Sequence, residues 1–304
     1  MFFEGSEKKF EAVFSGVDLR TLGVDFYREL VAKSQAEILS SISNDVCDAY
    51  LLSESSLFVW SDRVLMITCG RTTLIHACLH MINKIGKENL ESLIFQRKNE
   101  YYSHLQHTTF DDDLKILRET VDGTFLLFGH EHEHHNCLFH YNKPFTPAED
   151  DKTFELLMYD ISDEQSDFLT TEGHTQQAIR DFFKFDKILP GFEIDDFVFN
   201  PYGYSMNALK GDKYCTIHVT PQKHYSYVSF ETNISMESNF MSTILDVLKP
   251  DSFDMVAFEQ NIAGLTPDNY DSRMLFSEKI DCGYRVDFGH FYRRDAGVKA
   301  PRKL

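Results

Sequence analysis

The stretch Tyr50-Leu51-Leu52-Ser53-Glu54-Ser55-Ser56-Leu57-Phe58-Val59-Trp60 constrains this chain more than any other, because it sets three hydroxyls and a carboxylate inside an apolar run. A Ser61-Asp62-Arg63 turn follows, and Val64-Leu65-Met66-Ile67-Thr68-Cys69-Gly70 reads as a returning strand. The pattern predicts one long strand, a turn and a partner strand: a hairpin that carries reactive groups. A serine hydroxyl held beside its own preceding carbonyl can attack it. The Glu54-Ser55 amide would become an ester, elimination across Ser55 would cleave it, and loss of ammonia would leave a pyruvoyl group.

At 304 residues and 42% hydrophobic content the chain can bury a large core, as one big domain or two. Its formal charge of −18, from 48 acidic against 30 basic side chains, argues against nucleic acid or an anionic membrane as partner and suits a cationic ligand or simple solubility. Cysteines 47, 69, 78, 137, 215 and 282 form no CxxC pair and no close metal-ligand spacing. The start, Met-Phe-Phe-Glu-Gly-Ser-Glu-Lys, has no leader pattern, and no apolar run approaches membrane-spanning length. A cytoplasmic protein in a reducing compartment is expected.

Along the chain, residues 2–14 read as a strand bearing Glu4, Glu7 and Glu11, and residues 25–33 as a helix burying Tyr27, Leu30 and Val31. Leu74, Ile75, Cys78, Ile82 and Ile85 form a helical stripe ended by Gly86. Cys69 lies just ahead of that helix, where a helix N-terminus favours thiolate; an inert buried thiol is the other reading. His130, His132 and His134 would share one strand face able to bind zinc or nickel, but the segment reads better as an exposed hairpin tip, so no metal site is expected. Asp151, Thr153 and Glu155 alternate and would share a strand face. Residues 162–189 read as helical, 192–199 as a strand, and 236–248 as an amphipathic helix stopped by Pro250. Ser55 and Cys69 are 14 residues apart across one polar turn, and Ser205 and His218 are 13 apart across another, a weak sign of duplicated hairpins.

Leu-Ser-Glu-Ser-Ser followed by Thr-Cys-Gly resembles the self-processing site of eukaryotic-type S-adenosylmethionine decarboxylases, the pyruvoyl enzymes of polyamine synthesis. Phe2-Phe3-Glu4-Gly5-Ser6-Glu7-Lys8, Phe199-Asn200-Pro201-Tyr202-Gly203-Tyr204-Ser205-Met206-Asn207, Thr216-Ile217-His218-Val219-Thr220-Pro221 and Tyr225-Ser226-Tyr227-Val228-Ser229-Phe230-Glu231-Thr232-Asn233 extend the resemblance from residue 2 to about residue 260, beyond which it fades.

The resemblance implies an α/β fold: a four-layer αββα sandwich of two mainly antiparallel sheets with outer helices, internally duplicated. It implies one domain over 1–304, self-cleaved between Glu54 and Ser55 into 1–54 and 55–304. Ser55 would become the pyruvoyl group and form a Schiff base with the substrate; Cys69 would be the proton donor. Glu7, Ser205 and His218 would assist processing, with His218 taking the α-proton of Ser55. Phe3 and Phe199 would sandwich the adenine, and Glu54 and Gln222 would also bind substrate. Where the family has a ribose-binding glutamate this chain has Gln222, which implies weaker affinity. Glu11, Arg97, Asp151, Thr153, Glu155, Glu231 and Phe258 match a putrescine site, although Ile67 stands where better-known members carry a lysine. The implied function is decarboxylation of S-adenosylmethionine to the aminopropyl donor for spermidine and spermine, with putrescine as an activator and a homodimer left open. The alternatives are a non-catalytic regulatory partner of a related enzyme, or a pyruvoyl decarboxylase of another amino acid.

Overall fold

Period-two and helical apolar patterns alternate along the chain, and the computed structural model, which describes residues 5–221, 226–235, 240–265 and 267–296, follows them. The first half runs β1 (Lys8–Phe14), α1 (Val24–Lys33), β2 (Ile38–Ser43), β3 (Asp48–Leu52), β4 (Ser55–Val59), β5 (Arg63–Thr68), α2 (Leu74–Ile85), β6 (Leu90–Lys98), α3 (Phe110–Thr120), β7 (Gly123–Gly129) and β8 (His135–Tyr141). The second runs β9 (Thr153–Tyr159), α4 (Asp163–Leu169), α5 (Gln176–Phe183), α6 (Phe185–Ile188), β10 (Glu193–Val198), β11 (Tyr204–Lys210), β12 (Lys213–Thr220), β13 (Tyr227–Thr232), α7 (Phe240–Leu248), β14 (Ser252–Phe258), β15 (Tyr270–Lys279) and β16 (Arg285–Arg293). The start of the helix expected from residue 236 lies outside the described residues. Among those residues no helix is long and apolar enough to cross a membrane.

The strands form two eight-stranded sheets, in the orders β2-β3-β4-β5-β1-β6-β8-β7 and β10-β11-β12-β13-β9-β14-β16-β15, and their pairings are antiparallel. Adding eight to each label of the first order yields the second. The architecture is therefore duplicated, but the hairpins matched from sequence are one strand out of step. In this correspondence β11 and β12 answer to β3 and β4, so the Gly211-Asp212 turn answers to the Ser53-Glu54 turn rather than to the loop after Trp60.

The helices pack outside. Leu30, Ile75, Ile82 and Leu117 cover Phe10, Leu57 and Phe95 of the first sheet; Ile179, Phe183, Ile244 and Leu248 cover Phe154, Met206 and Phe230 of the second. Burial of such side chains contributes about 1.5–3 kcal/mol each. α3 is started by Thr109, whose hydroxyl accepts from the Asp112 N–H while the Asp112 carboxylate accepts in return. Between the sheets lie two separate apolar groups, one around Phe58, Leu65, Ile67 and Tyr214, the other around Leu157, Val256, Phe258 and Phe288. Polar side chains also line this interior, and the candidate site is built from them.

Two further sequence expectations need correction. Residues 50–60 are two strands, β3 and β4, joined at Ser53-Glu54. Residues 162–189 are three short helices, interrupted at Gly173 (φ +84°) and at Lys184, which is left-handed.

Candidate active site

Pairing of Leu52 with Ser55 closes the β3–β4 turn and forces an unusual backbone at Ser55, whose φ is +134°. Such a conformation in a side-chain-bearing residue costs about 1–3 kcal/mol and persists only where the surroundings impose it. The Ser55 Oγ is buried and has no hydrogen-bond partner among the described residues. Ser55 also pairs with Thr68 at the end of β5, which brings Cys69 against the preceding carbonyl. The Glu54 carbonyl oxygen accepts from the Cys69 N–H at 3.0 Å and from its thiol at 3.6 Å. Gly70 follows with φ +65°, and a Cβ there would lie 3.0 Å from Glu54 Oε2, so glycine is what lets the loop close over the turn. Lys8 Nζ, itself buried, donates to the Gly70 carbonyl at 2.9 Å.

From the other sheet, Ser205 on β11 and His218 on β12 are cross-strand partners. Ser55, Cys69, Ser205, His218, Glu54 and Phe199 line one cavity of 320 Å³. His218 Nδ1 is 3.0 Å from Ser205 Oγ, and Nε2 is 2.9 Å from Thr216 Oγ1. Burial lowers the His218 pKa to about 3, so the ring is neutral at physiological pH. Burial pushes the Cys69 thiol up, with the Glu54 and Glu7 carboxylates adding to it. That corrects the thiolate expectation: α2 begins only at Leu74, and desolvation outweighs any pull from its N-terminus. Glu7 is raised to about 8, first by burial and then by Glu231 and Glu155, and it accepts a short hydrogen bond from the Ser229 hydroxyl. It lies beside the cavity rather than among its lining residues. Phe3 and Gln222 lie outside the described residues.

The expected acidic cluster forms, with one exception. Lys9 Nζ contacts Glu155 Oε1 at 2.6 Å and Glu231 Oε2 at 2.9 Å, and sits 5.6 Å from the centre of the Phe258 ring. Arg63 pairs with Glu11 at 3.0 Å and with Asp151, which also accepts from Tyr284. Thr153 lines a 280 Å³ cavity that reaches Glu11, Arg63 and Asp151. Burial opposes charge on Lys9, but Glu155 and Glu231 more than offset it and hold the ammonium charged; Glu231 is raised by burial to about 7. Arg97 does not belong to this group. It pairs with Lys8 across β1 and β6, on the opposite face from Lys9, and binds Asp113 at 2.6 Å and Glu100 at 2.9 Å. Lys9 is also the cross-strand partner of Ile67, so a lysine stands beside the position where one is missing.

The histidine tract forms the expected hairpin tip between β7 and β8, with one departure at His134. Residues 130–134 make a turn, His130 and His132 are exposed, and His134 folds inward to stack on His290 at 4.7 Å. His134, Asp254 and His290 offer ligand atoms within 4.8 Å of one another. Lys98 Nζ, however, already sits 2.5 Å from Asp254 Oδ2, so an internal cation closes the cluster.

Sequence reasoning missed Lys9, Arg63, Ser56 and Thr216. Lys9 had a signal: it stands two residues before Glu11 on one strand and hence on the same face. The others are polar residues on apolar strands, and Ser56 and Thr216 meet only across the two halves of the chain.

The family profile described as adenosylmethionine decarboxylase matches residues 1–293, well past residue 260, where the motif resemblance fades. The chain is 34% identical over 285 residues to the S-adenosylmethionine decarboxylase proenzyme of Dictyostelium discoideum, covering 85% of this chain and 75% of that one. It is 33% identical over 308 residues to the Trypanosoma cruzi protein of the same name, covering 94% and 81%, and 32% identical over 280 residues to that of Xenopus laevis, covering 84% and 83%. In fold it is similar to the Trypanosoma brucei AdoMetDC-delta26 monomer, with a TM-score of 0.60 and 24% identity over 78% of this chain and 99% of that one.

Proposed function

Since this chain belongs to the adenosylmethionine decarboxylase family, we propose that it cuts its own backbone between Glu54 and Ser55 and then decarboxylates S-adenosylmethionine. The observation that carries the reading is the meeting of Ser55, at φ +134°, with Cys69, Ser205 and His218 around one cavity. Retention of Ser55 argues against a purely regulatory partner.

Ser55 Oγ, unpartnered among the described residues and next to a carbonyl that already accepts two hydrogen bonds, adds to the Glu54 carbon. Its proton leaves as the C–O bond forms. Negative charge builds on the Glu54 oxygen, where the Cys69 N–H and thiol stabilise it. The C–N bond then breaks, nitrogen takes up the proton, and an ester joins residues 54 and 55; the backbone strain at Ser55 is released with the amide. Neutral His218 takes the α-proton of Ser55, the ester C–O bond breaks, and Glu54 departs as the carboxylate end of fragment 1–54. Water then replaces nitrogen at the Ser55 α-carbon, and ammonia leaves.

The residues fit a pyruvoyl group at position 55, because the Ser55 side chain is buried at the cavity with no competing partner among the described residues. Such a group supplies a ketone that captures the substrate amine and an electron sink for the pair released as carbon dioxide departs. Cys69, held as the neutral thiol by burial, carries the proton that the α-carbon then needs. Phe199 lines the cavity and would offer an aromatic face to adenine. Lys9 and Arg63 already neutralise much of the acidic cluster, which favours activity without putrescine. Six free thiols suit a cytoplasmic, reducing setting.

Denaturing mass spectrometry of the purified protein tests the reading. The expected result is two fragments, 1–54 and 55–304, the larger lighter by one ammonia than a chain beginning with serine, together with carbon dioxide release from carboxyl-labelled S-adenosylmethionine. A single chain that stays intact on long incubation, with and without putrescine, would overturn it.

A further inference from the structure

His218 can serve as a base only through a ring nitrogen that carries no proton, and the side chains behind the ring decide which nitrogen that is. Behind it, Nε2 is 2.9 Å from Thr216 Oγ1 and 3.3 Å from Ser56 Oγ. The two hydroxyls are 3.1 Å apart, and Ser56 donates to Asn207 Oδ1 at 2.6 Å. All three of these residues are sealed between the sheets, at 0–1% exposure, so no solvent competes for their hydrogen bonds.

Each hydroxyl has one hydrogen to give. Ser56 gives its hydrogen to Asn207, so towards Thr216 it can only accept. For the 3.1 Å contact between the hydroxyls to be a hydrogen bond, Thr216 has to donate it to Ser56, and Thr216 can then only accept from the ring. Nε2 must then carry the imidazole proton, and Nδ1 is left bare, accepting from Ser205 at 3.0 Å. We propose that Ser56, Thr216 and Asn207 are positioning residues, a one-way chain of hydrogen bonds that fixes His218 with its proton on Nε2 and its basic lone pair on the side of Ser205. The inference rests on the self-cleavage reading for its consequence, though not for its geometry.

The polarity has one origin. Asn207 Nδ2 is buried without a partner among the described residues, so the polarity of the chain rests on the amide presenting Oδ1 to Ser56. Turning the amide over would reverse every bond in the chain and move the ring proton to Nδ1. The chain also requires both halves of the fold: Asn207 and Thr216 are cross-strand neighbours on β11 and β12, while Ser56 comes from β4 of the facing sheet.

Two measurements test this. The first is the nitrogen NMR spectrum of histidine-labelled Ser55→Ala protein, which cannot cleave. The expected result is a His218 ring protonated at Nε2 and bare at Nδ1; a proton on Nδ1 overturns the proposal. The second compares cleavage rates of Thr216→Val and Thr216→Ser. Loss of the hydroxyl should slow cleavage about tenfold or more, as befits one buried hydrogen bond, and serine should restore the rate to within about twofold of native. Cleavage of Thr216→Val at the native rate overturns the proposal. If Thr216→Val fails to fold, the spectrum decides alone. If the native chain does not cleave, the self-cleavage reading fails, while the His218 spectrum still reports on the chain of hydrogen bonds by itself.

Discussion

A buried imidazole that stays neutral behaves differently from an exposed one, and His218 makes the difference measurable. Its pKa of about 3 lies below the ordinary value of 6.5 because burial penalises the charged ring. An unfolded His218 would take a proton below pH 6.5 that the folded one refuses, so this residue's contribution to stability is present above pH 6.5 and declines as pH falls towards 3. The base itself remains available throughout that range. Glu7, raised to about 8, behaves oppositely: its folded state keeps a proton that the unfolded chain releases near pH 4.5, and its contribution is lost as pH rises through 8. Precursor cleavage followed on gels should therefore be flat from about pH 5 to about pH 7 and decline through about pH 8, with Glu7→Gln removing the alkaline decline. An acid limb centred near pH 6.5 would sink the neutral-base assignment. At this scale the sequence singled out residues that the fold brings to one cavity but not their protonation: Cys69 reads as thiolate from its distance to a helix and is a thiol because of what surrounds it.

At the scale of elements, the β3–β4 turn is the feature that matters and the one least visible in sequence. Ser53-Glu54 contains none of the Gly, Asn or Pro residues that usually announce a two-residue turn, so the apolar runs on either side read as one strand. Tertiary pairing overrides that local preference: β3 and β4 are held between β2 and β5, and the chain must reverse at the two polar residues between them. The consequence is the +134° φ at Ser55, a conformation glycine adopts without penalty. Ser55→Gly and Ser55→Ala both remove the nucleophile, so each reports on the uncleaved fold. The glycine variant should be the more stable by about 1 kcal/mol in urea unfolding, since strain relief exceeds the added chain entropy. An alanine variant of equal or greater stability would mean that the turn stores no strain for cleavage to release. The helical elements were more legible: α2 keeps its stripe from Leu74 to Ile85, because an amphipathic period is a local signal that needs no partner to be read.

Over the whole molecule, the two halves repeat one strand order, and neither holds a complete site. Ser55 and Cys69 come from the first half, Ser205 and His218 from the second; Lys9, Glu11 and Arg63 come from the first, Glu155 and Glu231 from the second. Pairing registers explain how they meet. Ser56, Ile67, Lys9 and Gln96 are cross-strand neighbours along one sheet, as Asn207, Thr216, Glu231 and Glu155 are along the other, so two rows face each other between the sheets. Such a row cannot be read from sequence, because its members lie far apart along the chain and are joined only by register. Fragment 1–54 would contribute β1, which lies between β5 and β6, so the fold itself would retain it after cleavage. Lys9 ties the rows together, and its removal should be felt by both halves. Lys9→Met would leave Glu155 and Glu231 uncompensated, at a penalty of about 3–5 kcal/mol at neutral pH that shrinks on acidification as Glu231, raised by burial to about 7, takes up a proton. Thermal unfolding with and without putrescine separates the roles: the diamine should recover part of the variant's lost stability while hardly moving the native protein. A native enzyme whose activity and melting temperature both rise steeply with putrescine would show that Lys9 and Arg63 do not satisfy the cluster, and that a cation from solution is still required.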